Sequence, residues 1–226
     1  MASIPYAFAV GSLIYAQVCT RPDIIFVVNV LGRYQSNLGI EHWKAAKKVM
    51  RYFQGTKDYR HTYKHSDNLE VIRYTDSDFA GCIDTRKSTS GYIFLLTGGV
   101  VSWRSNKQTI IASSTMEVEF ISCSEATTQA LWLRNFVKGL KVVDSKERPL
   151  NIYYDNSVAI FFSRNNKSGS RSKHININYL VVRDHIKKDE VVIKYIKTYL
   201  MIADPMTKDL PTKVYKEHVE SMGLVA

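Results

Sequence analysis

Four acidic residues sit where strands or helices end, rather than in solvated mid-helix positions. Asp76 ends the alternating stretch from Leu69, Asp155 ends the apolar stretch from Leu150, and Asp204 lies in Ile202-Ala203-Asp204-Pro205, beyond the last apolar stretch. Glu119 carries the strongest signal. Positions 116, 119, 123, 126, 130, 133 and 137 share one helical face and read Met, Glu, Cys, Ala, Ala, Leu and Val. One carboxylate on an otherwise apolar stripe is costly to bury unless a cation or hydrogen bonds compensate it. A metal ion would supply that compensation. Taken singly, Asp76 and Asp155 read equally well as strand-end or helix-capping residues, where Asp is common. Glu117 reads as the solvated neighbour of Glu119, and Asp78 and Asp84 as loop acids.

The elements that must position these acids follow from periodicity. Residues 5 to 54 predict three helices. Pro5 opens the first, Thr20-Arg21-Pro22-Asp23 separates it from a second that runs to about Ser36, and a third runs from Gly39 to Gly55. The third is amphipathic, with His42, Ala45, Ala46, Val49, Met50 and Phe53 opposite Lys44, Lys47, Lys48 and Arg51. After Gly55 the period becomes two. Strands are predicted near Tyr59–His65 and over Leu69–Asp76, Ser90–Thr97 and Val100–Ser105, the last two joined by a Gly98-Gly99 hairpin turn. A long helix over 113–140 follows, then a strand over Leu150–Asp155 and a helix over Asn156–Arg164. A polar stretch over Asn165–Lys173 leads to a helix near Ile175–Lys187, a strand over Val191–Ile196 and a closing helix over Lys213–Met222. Three antiparallel strands followed by α/β alternation predict a mixed sheet flanked by helices. The domain expectation is a helical segment over 1–60 and an α/β domain over 69–226.

Composition narrows the partners. The 226 residues are 45 % apolar and 23 % charged, the balance of a globular chain and not of a disordered one. Lysine and arginine number 31 against 21 acids, a net charge of +10, which suits a polyanionic partner and equally a solvated basic surface. Cys19, Cys82 and Cys123 are widely spaced and odd in number, so neither a zinc site nor a disulfide framework is indicated, and a reducing compartment is expected. The apolar run Ile4–Cys19 is too short for a membrane span and lacks the basic flank of a signal peptide.

Many ordered motifs resemble one family. Tyr74-Thr75-Asp76-Ser77-Asp78-Phe79-Ala80-Gly81, Arg86-Lys87-Ser88-Thr89-Ser90-Gly91-Tyr92, Ser102-Trp103-Arg104-Ser105-Asn106-Lys107-Gln108 and Ser113-Ser114-Thr115-Met116-Glu117-Val118-Glu119-Phe120 are similar to the ribonuclease H domain of copia-type LTR-retrotransposon Pol polyproteins. So are Tyr154-Asp155-Asn156, Ser172-Lys173-His174-Ile175 and Ala203-Asp204-Pro205-Met206-Thr207-Lys208. Upstream, Val10-Gly11-Ser12-Leu13-Ile14-Tyr15, Thr20-Arg21-Pro22-Asp23, His42-Trp43-Lys44 and Gly55-Thr56 resemble the end of that family's reverse transcriptase. The resemblance implies a ribonuclease H-like mixed five-stranded sheet, with residues 1–60 as a C-terminal remnant of reverse transcriptase. It also implies catalysis and metal binding by Asp, Glu, Asp and Asp in that order, which here are Asp76, Glu119, Asp155 and Asp204. Phe79 stands where Trp is usual, and Leu180 where His is frequent. Neither is a carboxylate.

The implied activity is hydrolysis of the RNA strand of an RNA–DNA hybrid during reverse transcription. Two Mg²⁺ ions about 3.5–4 Å apart can activate water, neutralise the phosphate and stabilise the leaving oxygen, with Mn²⁺ as the alternative ion. Asp76 and Asp155 are expected near both ions, with Glu119 completing one site and Asp204 the other. Ser114 and Thr115 are candidate hydroxyl partners for the RNA strand, since hybrids are read by shape and 2′-hydroxyls. Arg86, Lys87, Ser88 and Thr89 are candidates for a phosphate, the stretch 164–173 offers further basic side chains, and Asn156 is a further substrate-binding candidate. His174 reads as a helix-start residue before a proton shuttle. The reverse transcriptase portion of the same polyprotein is the expected protein partner, with no membrane. The cytoplasm is the expected compartment, within a virus-like particle if the element is active, with the nucleus as the alternative. A silent connection module is a competing reading, opposed by the retention of all four acids. A transposase or integrase would place its Glu last, whereas Glu119 comes second. The Tyr-x-Asp-Asp signature of a polymerase palm is absent from these residues.

Overall fold

The computed structural model describes residues 4–65, 70–82, 84–140, 149–156 and 173–226, the last stretch by backbone alone as far as 179. The expected helix over Asn156–Arg164, the polar stretch that follows it and the side chain of His174 lie outside the described residues.

The apolar stripes of the N-terminal region fold into α1 (Tyr6–Cys19), a 3₁₀ turn (Pro22–Ile24), α2 (Ile25–Gly32) and α3 (Ile40–Gly55). They enclose their own core of Tyr6, Val10, Leu13, Ile24, Val28, Leu31, Ala46 and Val49. α2 stops at Gly32, four residues before the expected Ser36, where the backbone turns at Arg33 and Tyr34 by bonding back to Val30 and Leu31.

The sheet is mixed and five-stranded. β2 (Val71–Asp78), β3 (Thr89–Leu96) and β4 (Gly99–Lys107) are antiparallel neighbours, while β5 (Leu150–Tyr154) and β6 (Val191–Tyr195) add in parallel beyond β2, giving the order β4-β3-β2-β5-β6. This is the ribonuclease H-like arrangement expected from the motifs. α4 (Thr115–Gly139) and α5 (Lys173–Lys187) cover one face, over a core that includes Phe94, Cys123, Ala126, Ala130, Ile152, Tyr154, Val182 and Ile193. On the other face Ile93, Val100, Met201, Ala203 and Met206 pack with Val219 and Met222 of α6 (Thr212–Ser221) and its end, and with Ile25 of α2.

Some boundaries differ from the sequence reading. β2 continues two residues past Asp76, because Ser77 and Asp78 still pair with Ser90 and Thr89, so Asp78 is a strand residue and not a loop acid. The β3–β4 turn is Thr97-Gly98, one residue earlier than Gly98-Gly99. Both turn residues have positive φ (51° and 82°), as the twist of a two-residue hairpin requires, and Gly99 is already in β4. The strand expected near Tyr59–His65 shrinks to β1 (Arg60–His61), paired with an unanticipated β7 (Leu224–Val225). Among the described residues no helix is long and apolar enough to cross a membrane.

The N-terminal helices touch the sheet through specific polar contacts. Asn29 Nδ2 donates to the Ser105 carbonyl at 2.7 Å and Trp103 Nε1 to the Gln17 carbonyl at 3.1 Å. Arg21 and Asp23, both buried, form a two-bond ion pair at 2.9 and 2.6 Å. Tyr52 donates to the Asp23 carboxylate at 2.8 Å, and Tyr215 of α6 to the Asp23 carbonyl at 3.0 Å.

Candidate metal centre

The strand register creates the site. β2 and β5 run parallel with Arg73 opposite Ile152 and Tyr74 opposite Tyr153. Two residues further on, the same register sets Asp155 beside Asp76, at the carboxyl end of both strands. That end of a parallel pair is where open α/β sheets leave room for ligands.

Asp204 arrives from the opposite direction. It begins a 3₁₀ turn, Asp204–Met206, that packs against β2 and β3. Gly91, the β3 partner of Asp76, permits the approach. A Cβ there would stand 2.5 Å from the Met206 Cβ and 2.8 Å from a Thr207 methyl. One carboxylate oxygen from each of Asp76, Asp155 and Asp204 lies within 4.8 Å of the other two.

Glu119 comes from α4. Ser114 caps that helix by accepting from the Glu117 N–H at 3.3 Å, and the Ser122 hydroxyl fastens it to β2, contacting Thr75 Oγ1 at 2.7 Å and donating to the Asp76 carbonyl at 2.9 Å. Glu119 stands one turn before Ser122 and is therefore held beside the same strand end. It lies outside the 4.8 Å group, and its Oε2 is buried with no hydrogen-bond partner.

Burial dominates the electrostatics. Asp76, Glu119 and Asp204 are only 2 %, 7 % and 4 % exposed. Burial pushes the Asp76 carboxyl up to about 7; Lys208 pulls it back, Asp204 and Asp155 push it further, and a hydrogen bond donated by Thr207 Oγ1 opposes them. Burial, with the charges of Asp76 and Asp155, raises Glu119 to about 8 against the pull of nearby Ser77 and Asn156. Asp204 is also raised by burial, with Lys208 opposing. Three buried acids that resist ionising together, even with the Lys208 ammonium beside two of them, describe a place with less positive charge than its carboxylates call for. The donors are all carboxylate oxygens, the set that suits Mg²⁺ or Mn²⁺, and an unpartnered buried oxygen on Glu119 is what a ligand without its ion presents. The residues fit divalent-ion binding.

Three of the four acids singled out in the sequence, Asp76, Asp155 and Asp204, are brought together, and Glu119 feels the charges of Asp76 and Asp155 from outside that group. The other candidates are placed differently. Ser114 serves as the cap of α4, and Thr115 begins that helix. Ser88 is buried, with its hydroxyl accepting from the Ala80 N–H at 3.0 Å, and is committed to holding that loop. Lys87 donates to the Thr109 carbonyl at 2.6 Å, while Arg86 is exposed at positive φ. Asn156 follows Asp155 at the rim and acts on Glu119. Sequence reasoning assigned no role to Thr207, Lys208, Ser122 or Gly91. The four-residue spacing of Asp204 and Lys208 was the one local signal available.

Over nearly its full length the chain matches the "Retrovirus-related Pol polyprotein from transposon TNT 1-94" of Nicotiana tabacum, 38 % identical over 224 residues. Its homologues are copia-type retrotransposon Pol polyproteins. That match covers 99 % of this chain and 17 % of the tobacco polyprotein, so the chain spans about one sixth of the relative. A "Secreted RxLR effector protein 161" of Plasmopara viticola is 44 % identical over 133 residues, which are 59 % of this chain and 94 % of that protein. No family model matches. Among solved structures, the RNase H1 of the halophilic archaeon Halobacterium salinarum NRC-1 is similar at TM-score 0.44 and 12 % identity, over 61 % of this chain and 94 % of that one. The ribonuclease H-like description of this chain rests on its own strand order and directions.

Proposed function

We propose that this chain is a divalent-metal-dependent endonuclease that hydrolyses the RNA strand of RNA–DNA hybrids, acting within a retroelement Pol polyprotein. The observation that carries the reading is the meeting of Asp76, Asp155 and Asp204 within 4.8 Å, from segments far apart in the chain, with a buried, unpartnered carboxylate oxygen of Glu119 nearby. Asp76 and Asp155 would hold two ions in common, Glu119 completing one site and Asp204 the other. Bound divalent ions supply the positive charge that neutralises a scissile phosphate and lower the pKa of the attacking water.

The remaining steps belong to the chain's own residues. Thr207 donates to the Asp76 carboxylate and favours one orientation of it, while the β2 pairing fixes the backbone beneath, so ligand geometry is set before substrate arrives. The Ser122 bridge holds α4 against β2 and keeps Glu119 from drifting to solvent. The hybrid would lie across the carboxyl ends of β2 and β5, with the net charge of +10 drawing its phosphates. Hydrolysis would leave a 5′-phosphate and a 3′-hydroxyl. Reverse transcriptase of the same polyprotein would deliver the hybrid. The deciding assay is Asp155→Asn on a labelled hybrid with Mg²⁺. A fall of about 10²-fold or more, with an unchanged circular dichroism spectrum, is expected on the scale at which lost electrostatic stabilisation shows itself. Undiminished cleavage would overturn the assignment.

A further inference from the structure

Two of the buried acids already have a cation between them. Lys208 Nζ lies 3.0 Å from Asp204 Oδ1 and 3.4 Å from Asp76 Oδ2. An α-turn that continues the 3₁₀ element sets this geometry: the Lys208 N–H donates to the Asp204 carbonyl at 3.2 Å, so the side chains four residues apart lie on one side. We propose that Lys208 is a resident counter-ion of the carboxylate cluster, and that divalent ions must displace its ammonium to bind. The inference rests on the metal-site reading for its second half only. The first half concerns the protein without metal.

Three observations support it. Asp76 and Asp204 are nearly inaccessible to water, and two carboxylates buried together are strongly unfavourable unless a positive charge faces them. The Lys208 side chain is itself 36 % exposed, so it is not locked in by packing. A lysine is a single compact charge on a flexible four-carbon stem, able to leave without dismantling a planar bidentate pair. It also has somewhere to go. Lys208 lines a cleft of about 510 Å³ between the N-terminal helices and the 205–216 segment, whose walls include Val49, Tyr52, Leu210 and Tyr215.

The test compares the whole chain with Lys208→Gln and Lys208→Arg. In EDTA at low salt, Lys208→Gln should melt about 2–4 °C below wild type, the shift expected for about 1 kcal/mol in a chain of this size, and Lys208→Arg should recover most of it. In a calorimetric titration with Mg²⁺ alone, Lys208→Gln should bind at least about threefold more tightly than wild type, because no ammonium has to be expelled. Equal melting in EDTA overturns the counter-ion role. Equal or weaker Mg²⁺ binding by Lys208→Gln overturns displacement. If neither protein binds Mg²⁺, the metal-site reading and displacement fall together, and the EDTA melts still decide the counter-ion role. Should Lys208→Gln not fold, wild-type protein with ¹³C-labelled lysine decides: Mg²⁺ must shift the Lys208 Cε resonance, and an unmoved resonance overturns displacement.

Discussion

Without metal, Asp76 and Glu119 hold protons at pH values where free carboxyls have lost them. The folded values stand at about 7 and about 8, against 3.8 and 4.5 for unperturbed groups, and burial is the main cause of both. Between those limits the folded state binds more protons than the unfolded state, so stability is greatest near and below the lower values and falls as pH rises through the upper ones. In EDTA the urea midpoint should therefore decrease from about pH 5 to about pH 8, and saturating Mg²⁺ should flatten the decline by stabilising the ionised cluster. Glu119→Gln should remove part of the slope. A midpoint that rises with pH in EDTA would show that burial does not hold these two carboxyls protonated.

At the level of elements, the site depends on how closely the 204–207 turn can sit on β3. Gly91 is the contact, and its lack of a side chain admits Met206 and Thr207. Gly91→Ala should push the turn outward, costing about 1–3 kcal/mol as overpacking does. It should also weaken Mg²⁺ binding, because Asp204 and Thr207 move with the turn. Denaturant melts and a Mg²⁺ titration check both parts, and normal affinity in a destabilised variant would separate the turn from the site. The α4 cap is a gentler probe. Ser114→Ala should cost about 0.5–2 kcal/mol in urea unfolding through the lost bond to the Glu117 N–H. These contacts explain which parts of the site could be read in advance. The acids stood out by their place in periodic patterns. Gly91 and Ser122 act across 115 and 46 residues of chain, on Met206 and on Asp76, where no local pattern can point.

Across the whole molecule, the N-terminal helices and the sheet share more than a linker. Arg21, stacked over Phe53 at 4.9 Å and bonded to Thr56, is paired to an Asp23 that also receives Tyr52, while Tyr215 of α6 reaches the Asp23 backbone. Asp23→Ala should cost about 3–5 kcal/mol, the penalty for stranding one partner of a buried ion pair. If the helices and the sheet unfold as one unit, calorimetry on that variant will show a single transition at lower temperature. Two resolved transitions would assign the helices an independent stability.

Sequence alone determined the periodicities, and with them the helices and most strands among the described residues and the four acids, because amphipathic spacing and a lone charge on an apolar stripe are local properties. It also carried the family motifs from end to end. Tertiary structure alone decided that β2 runs past Asp76, that β1 finds a partner in β7, and that Ser88 is committed to its loop. Each depends on which backbone groups a distant segment leaves unpaired. Structure also placed the Lys208 ammonium between two acids, a position set by the closure of one turn against a glycine on another strand.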